Sequence, residues 1–208
     1  MHEVKSINKK KYSKKYFVNF KDETNDYILL DIDTLSKSQI SVGAKLTDTD
    51  INEALKKQNV VDAKQKAYSF VSYKPRSEYE VRKRLHDKEF DSDVIEIAIE
   101  FLYKYKLLDD EKFTKSYVRS YLERKPSGKF KLENELKKKG LSEELITNSI
   151  KKIYDEFDLF DLAFIAATKH QKKIHYKPKT KQKDLVISFL KRRGFNWETI
   201  SHVINKMF

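Results

Sequence analysis

The order of apolar and polar positions changes character near residue 60. Before it, runs rich in β-branched and aromatic side chains at residues 16–20 and 27–32 flank Asp22, Glu23, Thr24, Asn25 and Asp26, which predicts a hairpin with its turn in that polar stretch. Ile28, Leu30 and Ile32 share one face at period two, with Tyr27 and Leu29 on the other. A third strand at residues 4–7 is weakly patterned. Residues 33–38 suit one helical turn, and Asp48 or Thr49 can start a short helix through Ile51, Ala54 and Leu55. So few strands are marginally stable alone, so this module is expected to lean on the helices that follow.

From Asp62 onward the apolar spacing is helical. Val94, Ile95, Ala98, Ile99, Leu102 and Tyr105 trace one stripe, and Phe113, Tyr117, Val118, Tyr121 and Leu122 a second. Leu145, Ile146, Ser149, Ile150 and Ile153 trace a third, and Ile200, Val203, Ile204 and Met207 a fourth. Ser77 and Glu80 have capping-box spacing. Asp91, Asp110, Ser142 and Asn196 suit N-caps, and Gly140 and Gly194 suit left-handed helix stops.

Three segments superpose without gaps when begun at Glu78, Lys129 and Lys183. Val81, Leu132 and Val186 then coincide, as do Leu85, Leu136 and Leu190; Phe90, Leu141 and Phe195; Ile95, Ile146 and Ile200; Ile99, Ile150 and Ile204. Pro75, Pro126 and Pro178 fall almost in phase, and each ends the helix before it. The unit is helix, proline break, helix, tight turn, helix, repeated three times with a period of about fifty residues. The expected fold is mainly α: three tandem three-helix repeats in an elongated curved array, behind a small N-terminal β-containing module. The expected boundaries are 1–60 for that module and 61–108, 109–155 and 156–208 for the repeats.

Composition adds partners to this picture rather than fold. The chain has 208 residues, 39% hydrophobic and 37% charged, with a formal net charge of +12. Its isoelectric point near 9.5 suits nucleic acid, an anionic membrane surface or an acidic protein face, although a general lysine bias would produce the same figure. The lack of cysteine excludes disulfides, thiolate metal sites and cysteine nucleophiles. With no long apolar run and a lysine-bearing N-terminus, the expectation is a cytoplasmic monomer without membrane contact.

The second helix of each repeat is basic: Arg82, Lys83, Arg84 and Lys88; then Lys129, Lys131, Lys137, Lys138 and Lys139; then Lys191, Arg192 and Arg193. The densest stretch adds Lys169, Lys172, Lys173, Lys177, Lys179, Lys181 and Lys183, opposed only by Asp184. Such side chains meet phosphates or carboxylates as point charges and confer affinity without base specificity, unless they merely form a solvated helix face. A three-helix unit with a tight turn also suits a helix-turn-helix reader, but the third helices carry few of the side chains that read base edges.

Catalysis finds little support. His2, His86, His170, His175 and His202 lack HExxH spacing, and there is no Walker, GxSxG or dinucleotide glycine loop. Asp109 and Asp110 suggest a carboxylate pair, but their place at a helix start favours capping. No enzyme activity, metal or cofactor is expected.

Several of these residues carry a family resemblance. Pro75, Arg76, Ser77, Glu80, Val81, Arg82, Leu85 and Lys88, with Leu108, Asp109, Asp110, Phe113, Val118 and Arg119, resemble the RecX family signature. So do Gly128, Leu132, Glu135, Leu136, Lys139 and Gly140, and at the C-terminal end Phe189, Leu190, Arg192, Arg193, Gly194 and Phe195. The N-terminal strands resemble an extension found in members from low-GC Gram-positive bacteria. Thr114 and Lys131 depart from the family's usual alanine and arginine. The resemblance implies a negative modulator that binds the filament of RecA recombinase on DNA and restrains its extension, ATPase and strand exchange. An autonomous nucleic-acid-binding helical-repeat protein, meeting single- and double-stranded DNA through its basic faces, is the alternative. Arg76, Arg119 and Arg124 then join the lysines and arginines above as candidate contacts.

Overall fold

The structure, a computed structural model, describes residues 1–21 and 27–208. The turn expected at residues 22–26 lies outside the described residues. By internal packing the chain forms two compact units, Met1–Tyr73 with Arg82–Leu107, and Lys74–Val81 with Leu108–Phe208.

The first unit holds strands β1 (His2–Lys9), β2 (Lys15–Phe20), β3 (Tyr27–Asp31) and β4 (Lys45–Leu46), and helices α1 (Ile32–Lys37), α2 (Asp48–Tyr73) and α4 (Ser92–Lys104). The antiparallel sheet runs β3-β2-β1-β4. The weakly patterned segment at residues 4–7 is thus a full inner strand, bulged between Val4 and Ser6, and β4 is a short edge the period-two pattern did not reveal. Val18 pairs with Ile28 across β2 and β3. Val4, Val18, Phe20, Leu30, Leu35 and Ala54 close a core between sheet and helix. Ile32 differs from the expected strand face: β3 ends at Asp31, whose side chain caps α1 by accepting from the Thr34 N–H at 2.7 Å, so Ile32 opens the helix and is exposed.

α2 is one helix of 26 residues rather than a short helix and a later one, and it crosses the boundary expected after residue 60. Nothing between Asp48 and Tyr73 is glycine or proline, so the backbone ladder has no reason to stop. Gln58 is buried on it and fully engaged, accepting from the Asp31 N–H at 2.7 Å and donating to Asp62 at 2.9 Å. α2 packs against α4, whose Val94, Ile95, Ala98, Ile99 and Leu102 are buried as the stripe predicts; Tyr105, past the helix end, is exposed.

α3 (Glu78–His86) begins in the second unit. That unit continues with α5 (Asp110–Arg124), α6 (Lys129–Lys137), α7 (Glu143–Glu156), α8 (Leu159–Ile174), α9 (Lys179–Arg192) and α10 (Trp197–Met207). One apolar cluster runs through it, including Phe113, Leu122, Leu132, Leu136, Ile146 and Leu190. Leu85, Leu136 and Leu190, which coincide in the sequence repeat, are each 0% exposed. Ser142 and Asn196 cap α7 and α10 through their side chains, whereas Asp91 makes no side-chain cap bond. For α5 the cap is Asp109, which accepts from the Lys112 N–H at 2.9 Å, in place of Asp110.

Candidate functional site

The proline breaks and glycine stops of the second unit meet each other. Ser77 and Glu80 form the expected capping box at the start of α3, each accepting from the other's backbone N–H. The Ser77 hydroxyl also donates to the Lys139 carbonyl at 2.7 Å, and the Lys139 ammonium pairs with Glu80 at 2.7 Å. The Glu78 N–H donates to Asp110 at 2.9 Å, and burial raises the pKa of that carboxyl. In the repeat frame Ser77 corresponds to Gly128 and Lys139 to Arg193. The Gly128 N–H donates to the Arg193 carbonyl at 2.9 Å. The same acceptor at the end of a second helix therefore receives a hydrogen bond at two successive junctions, from a hydroxyl at one and an amide at the other.

Beside each junction is a groove. The first, about 490 Å³, is lined by Lys74, Arg76, Tyr117, Arg124 and Lys139, with Glu80 and Glu123 opposing them. The second, about 450 Å³, is lined by Tyr121, Lys125, Lys131, Phe189, Arg192 and Arg193, with Glu135 the single acid of its lining. Each places a cation over an aromatic ring, Lys139 at 5.4 Å from the Tyr117 centroid and Arg193 at 5.1 Å from that of Phe189. His170, which is not part of the second lining, lies parallel to the Phe189 ring at 4.2 Å, and burial, then Arg192, Lys173 and Arg193, lowers its pKa. Lys138, then Lys131, holds Glu135 below the usual carboxylate range against the opposing effect of burial.

Six of the basic residues are bound to acids: Arg82 to Glu96, Arg119 to Glu156, Lys139 to Glu80, Lys137 to Glu133, and Lys131 and Lys138 to Glu135. Arg76 sits 4.0 Å from Glu80. Acids from other elements and from the same helix thus quench part of the basic surface. Lys83, Arg84 and Lys88 are exposed, Arg84 over Phe70. Lys129, Lys177 and Lys191 lie against Tyr154, Tyr176 and Trp197.

Lys169, Lys172 and Lys173 are exposed on the C-terminal half of α8. Lys179, Lys181 and Lys183 occupy the start of α9 and have no ion pair among the described residues. No acid lies in that first turn, and Pro178 makes no side-chain cap bond. Cations at the positive end of a helix dipole are locally unfavourable, so the fold of α9 gains nothing from these three charges.

Lys74, Lys125 and Phe189 enter the groove linings without being candidates from the sequence, and His170 stacks on Phe189 from outside the lining. One signal for the first two was present, because a lysine precedes each proline, at Lys74, Lys125 and Lys177. Phe189 and His170 carry no such mark. Among the described residues no helix is long and apolar enough to cross a membrane, and no group of three or more His, Asp or Glu is placed to hold a metal ion.

Comparison with known proteins bears on the same segments. The first three-helix domain of RecX matches residues 63–102 and the second matches residues 109–150. Regulatory protein RecX of Lactococcus lactis subsp. cremoris is 27% identical over 200 residues, 95% of this chain and 74% of the relative. The protein of that name from Staphylococcus aureus is 29% identical over 207 residues, 100% of this chain and 75% of the relative. A crystal structure of regulatory protein RecX superposes with a TM-score of 0.71 at 19% identity, covering 99% of this chain and 100% of that one, and shows the same fold. The chain thus carries the first and second three-helix domains of RecX in tandem and is similar to regulatory protein RecX along nearly its whole length.

Proposed function

We propose that this protein is a non-enzymatic negative modulator of RecA recombinase, acting in the cytoplasm in the regulation of DNA repair, recombination and the SOS response. It binds as a monomer to the RecA–DNA filament and limits its extension, ATP hydrolysis and strand exchange. Residues 61–108, 109–155 and 156–208 serve as its repeat domains behind the module at 1–60. The observation that carries this reading is the tandem pair of RecX domains, supported by relatives named regulatory protein RecX. The two basic junction grooves supply surfaces suited to phosphates or to acidic protein. The test is RecA's DNA-dependent ATP hydrolysis. Substoichiometric protein is expected to lower it, and an unchanged rate over a wide range of protein would sink the proposal.

The second reading, an autonomous nucleic-acid binder, is favoured by Lys179, Lys181 and Lys183, which are exposed and have no ion pair among the described residues. A pull-down with RecA in nuclease-treated, high-salt buffer separates the two, since a protein held only by DNA is lost. Replacing these three lysines by glutamate is expected to weaken DNA or filament binding and flatten its salt dependence. Melting temperature should stay within about two degrees, because the side chains are exposed and have no ion pair among the described residues. An unchanged salt slope marks them as bystanders.

A further inference from the structure

We propose that the groove between α5, α6 and α9 is a phosphate-binding cleft for a single nucleic-acid strand, and that filling it draws a proton from solvent onto His170. The proposal rests on the reading that basic faces meet the filament's DNA, and it names where one of them does so. The second groove is chosen over the first by its charge balance. In the first, Lys139 is bound to Glu80, with Arg76 close by. In the second, Lys125, Arg192 and Arg193 have no ion pair among the described residues, and Glu135 is already engaged by Lys138 and Lys131.

A nucleic-acid strand fits better than an acidic peptide because the cations are interleaved with rings. Phe189 and Tyr121 line the groove, and guanidinium and imidazole both lie on Phe189. Tyr121 is buried and Phe189 is covered by His170 and Arg193, so the plane offered to an unpaired base is the Arg193 guanidinium, whereas carboxylates need only the charges. A cleft of about 450 Å³ is in the size class of small-ligand pockets, which suits one or two nucleotides and not a duplex.

The proton linkage follows from what surrounds His170. Its own helix presents Lys173, and α9 presents Arg192 and Arg193. α10 also packs on α8, but its His202 and Lys206 lie on Phe160 and Phe164, toward the other end of that helix. Burial and three cations hold the imidazole neutral at neutral pH. A phosphate in the cleft offsets those cations and favours the imidazolium. Affinity should therefore rise as pH falls, and the gain is complete only below the ordinary histidine range, where the imidazole of the empty cleft also takes up its proton.

The test uses the full chain without RecA and a fluorescent single-stranded oligonucleotide, read by anisotropy at about 0.15 M salt. The double variant Lys125→Glu, Arg192→Glu, both at exposed positions, is expected to bind about tenfold more weakly with an unchanged melting temperature. The charge-matched variant Lys56→Glu, Lys57→Glu, at two exposed lysines outside the groove lining, should lose less than about threefold, since it keeps every cation of the cleft. His170→Gln should match the wild type at pH 8 and gain about threefold less on moving to pH 5.5. Equal losses in the two double variants overturn the cleft, as does an absence of oligonucleotide binding by the wild type. A full pH response in His170→Gln overturns the proton linkage. Displacement of the oligonucleotide by polyglutamate or inorganic phosphate at equal charge overturns the nucleic-acid assignment in favour of acidic protein or free anion. Since RecA is absent, these outcomes leave the ATPase experiment to decide the regulatory reading separately.

Discussion

Gly194→Ala is expected to destabilise the protein by roughly 2 to 5 kcal/mol, combining about 1 to 2 kcal/mol for a left-handed alanine with the cost of overpacking. Gly194 stops α9 with φ +78°, and an added Cβ would press on the Lys131 backbone N–H and come within 2.8 Å of Lys131 Cβ. Gly128→Ala should cost a similar amount for a different reason. Its φ is an ordinary −80°, but a Cβ there would meet the Gly194 carbonyl and the Phe195 nitrogen, the latter at 2.5 Å. Gly140 repeats the arrangement at φ +69°, with Cδ2 of Tyr79 at 2.8 Å from the added atom. Glu89 holds the corresponding left-handed turn of the first repeat at φ +61°, and it is exposed. Urea unfolding of the alanine variants checks the first group, and Glu89→Gly is the control, expected to leave stability unchanged or slightly raised. Wild-type stability in Gly128→Ala would show that the junction yields without cost.

Leu136→Ala should cost a comparable 2 to 5 kcal/mol, the usual range when a fully buried leucine is truncated and its cavity is not refilled. Leu136 is 0% exposed and belongs to the cluster that joins α5 through α10. Neighbours from helices on several sides limit how far the site can collapse, which places the cost in the upper half of that range. Leu85→Ala and Leu190→Ala occupy the same repeat position at the same burial and should behave alike. Chemical denaturation followed by circular dichroism measures all three, and a loss under about 1 kcal/mol at Leu136 would mean the core repacks.

The helical stripes, the capping box at Ser77 and Glu80, and the glycine stops were legible because each is a relation between residues a few positions apart. The exceptions were also local. Period two continues past Asp31 and predicts Ile32 on a strand face, but a side-chain cap turns the chain into α1 one residue earlier. Asp110 gave up the capping role to Asp109 because it is taken by Glu78, 32 positions away.

The basic face was read less well, since a lysine's sequence context does not say which acid will find it. Arg82 meets Glu96, Arg119 meets Glu156, and Lys139 meets Glu80, at separations of 14, 37 and 59 residues. These pairings remove three candidates from the open surface, while Lys125, beside a proline break, and Phe189, a motif residue, enter a groove that no local spacing predicts.

The amino-acid sequence alone determined the helical repeat, its period, most of its buried positions and its likeness to RecX, because periodicity, caps and proline breaks act within a turn or two of the helix. Tertiary structure decided which charges stay open, why two helix stops must be glycine while Glu89 need not be, and where cations and rings converge. Those properties belong to groups brought together across the junctions by packing, and sequence spacing carries no information about distances set that way.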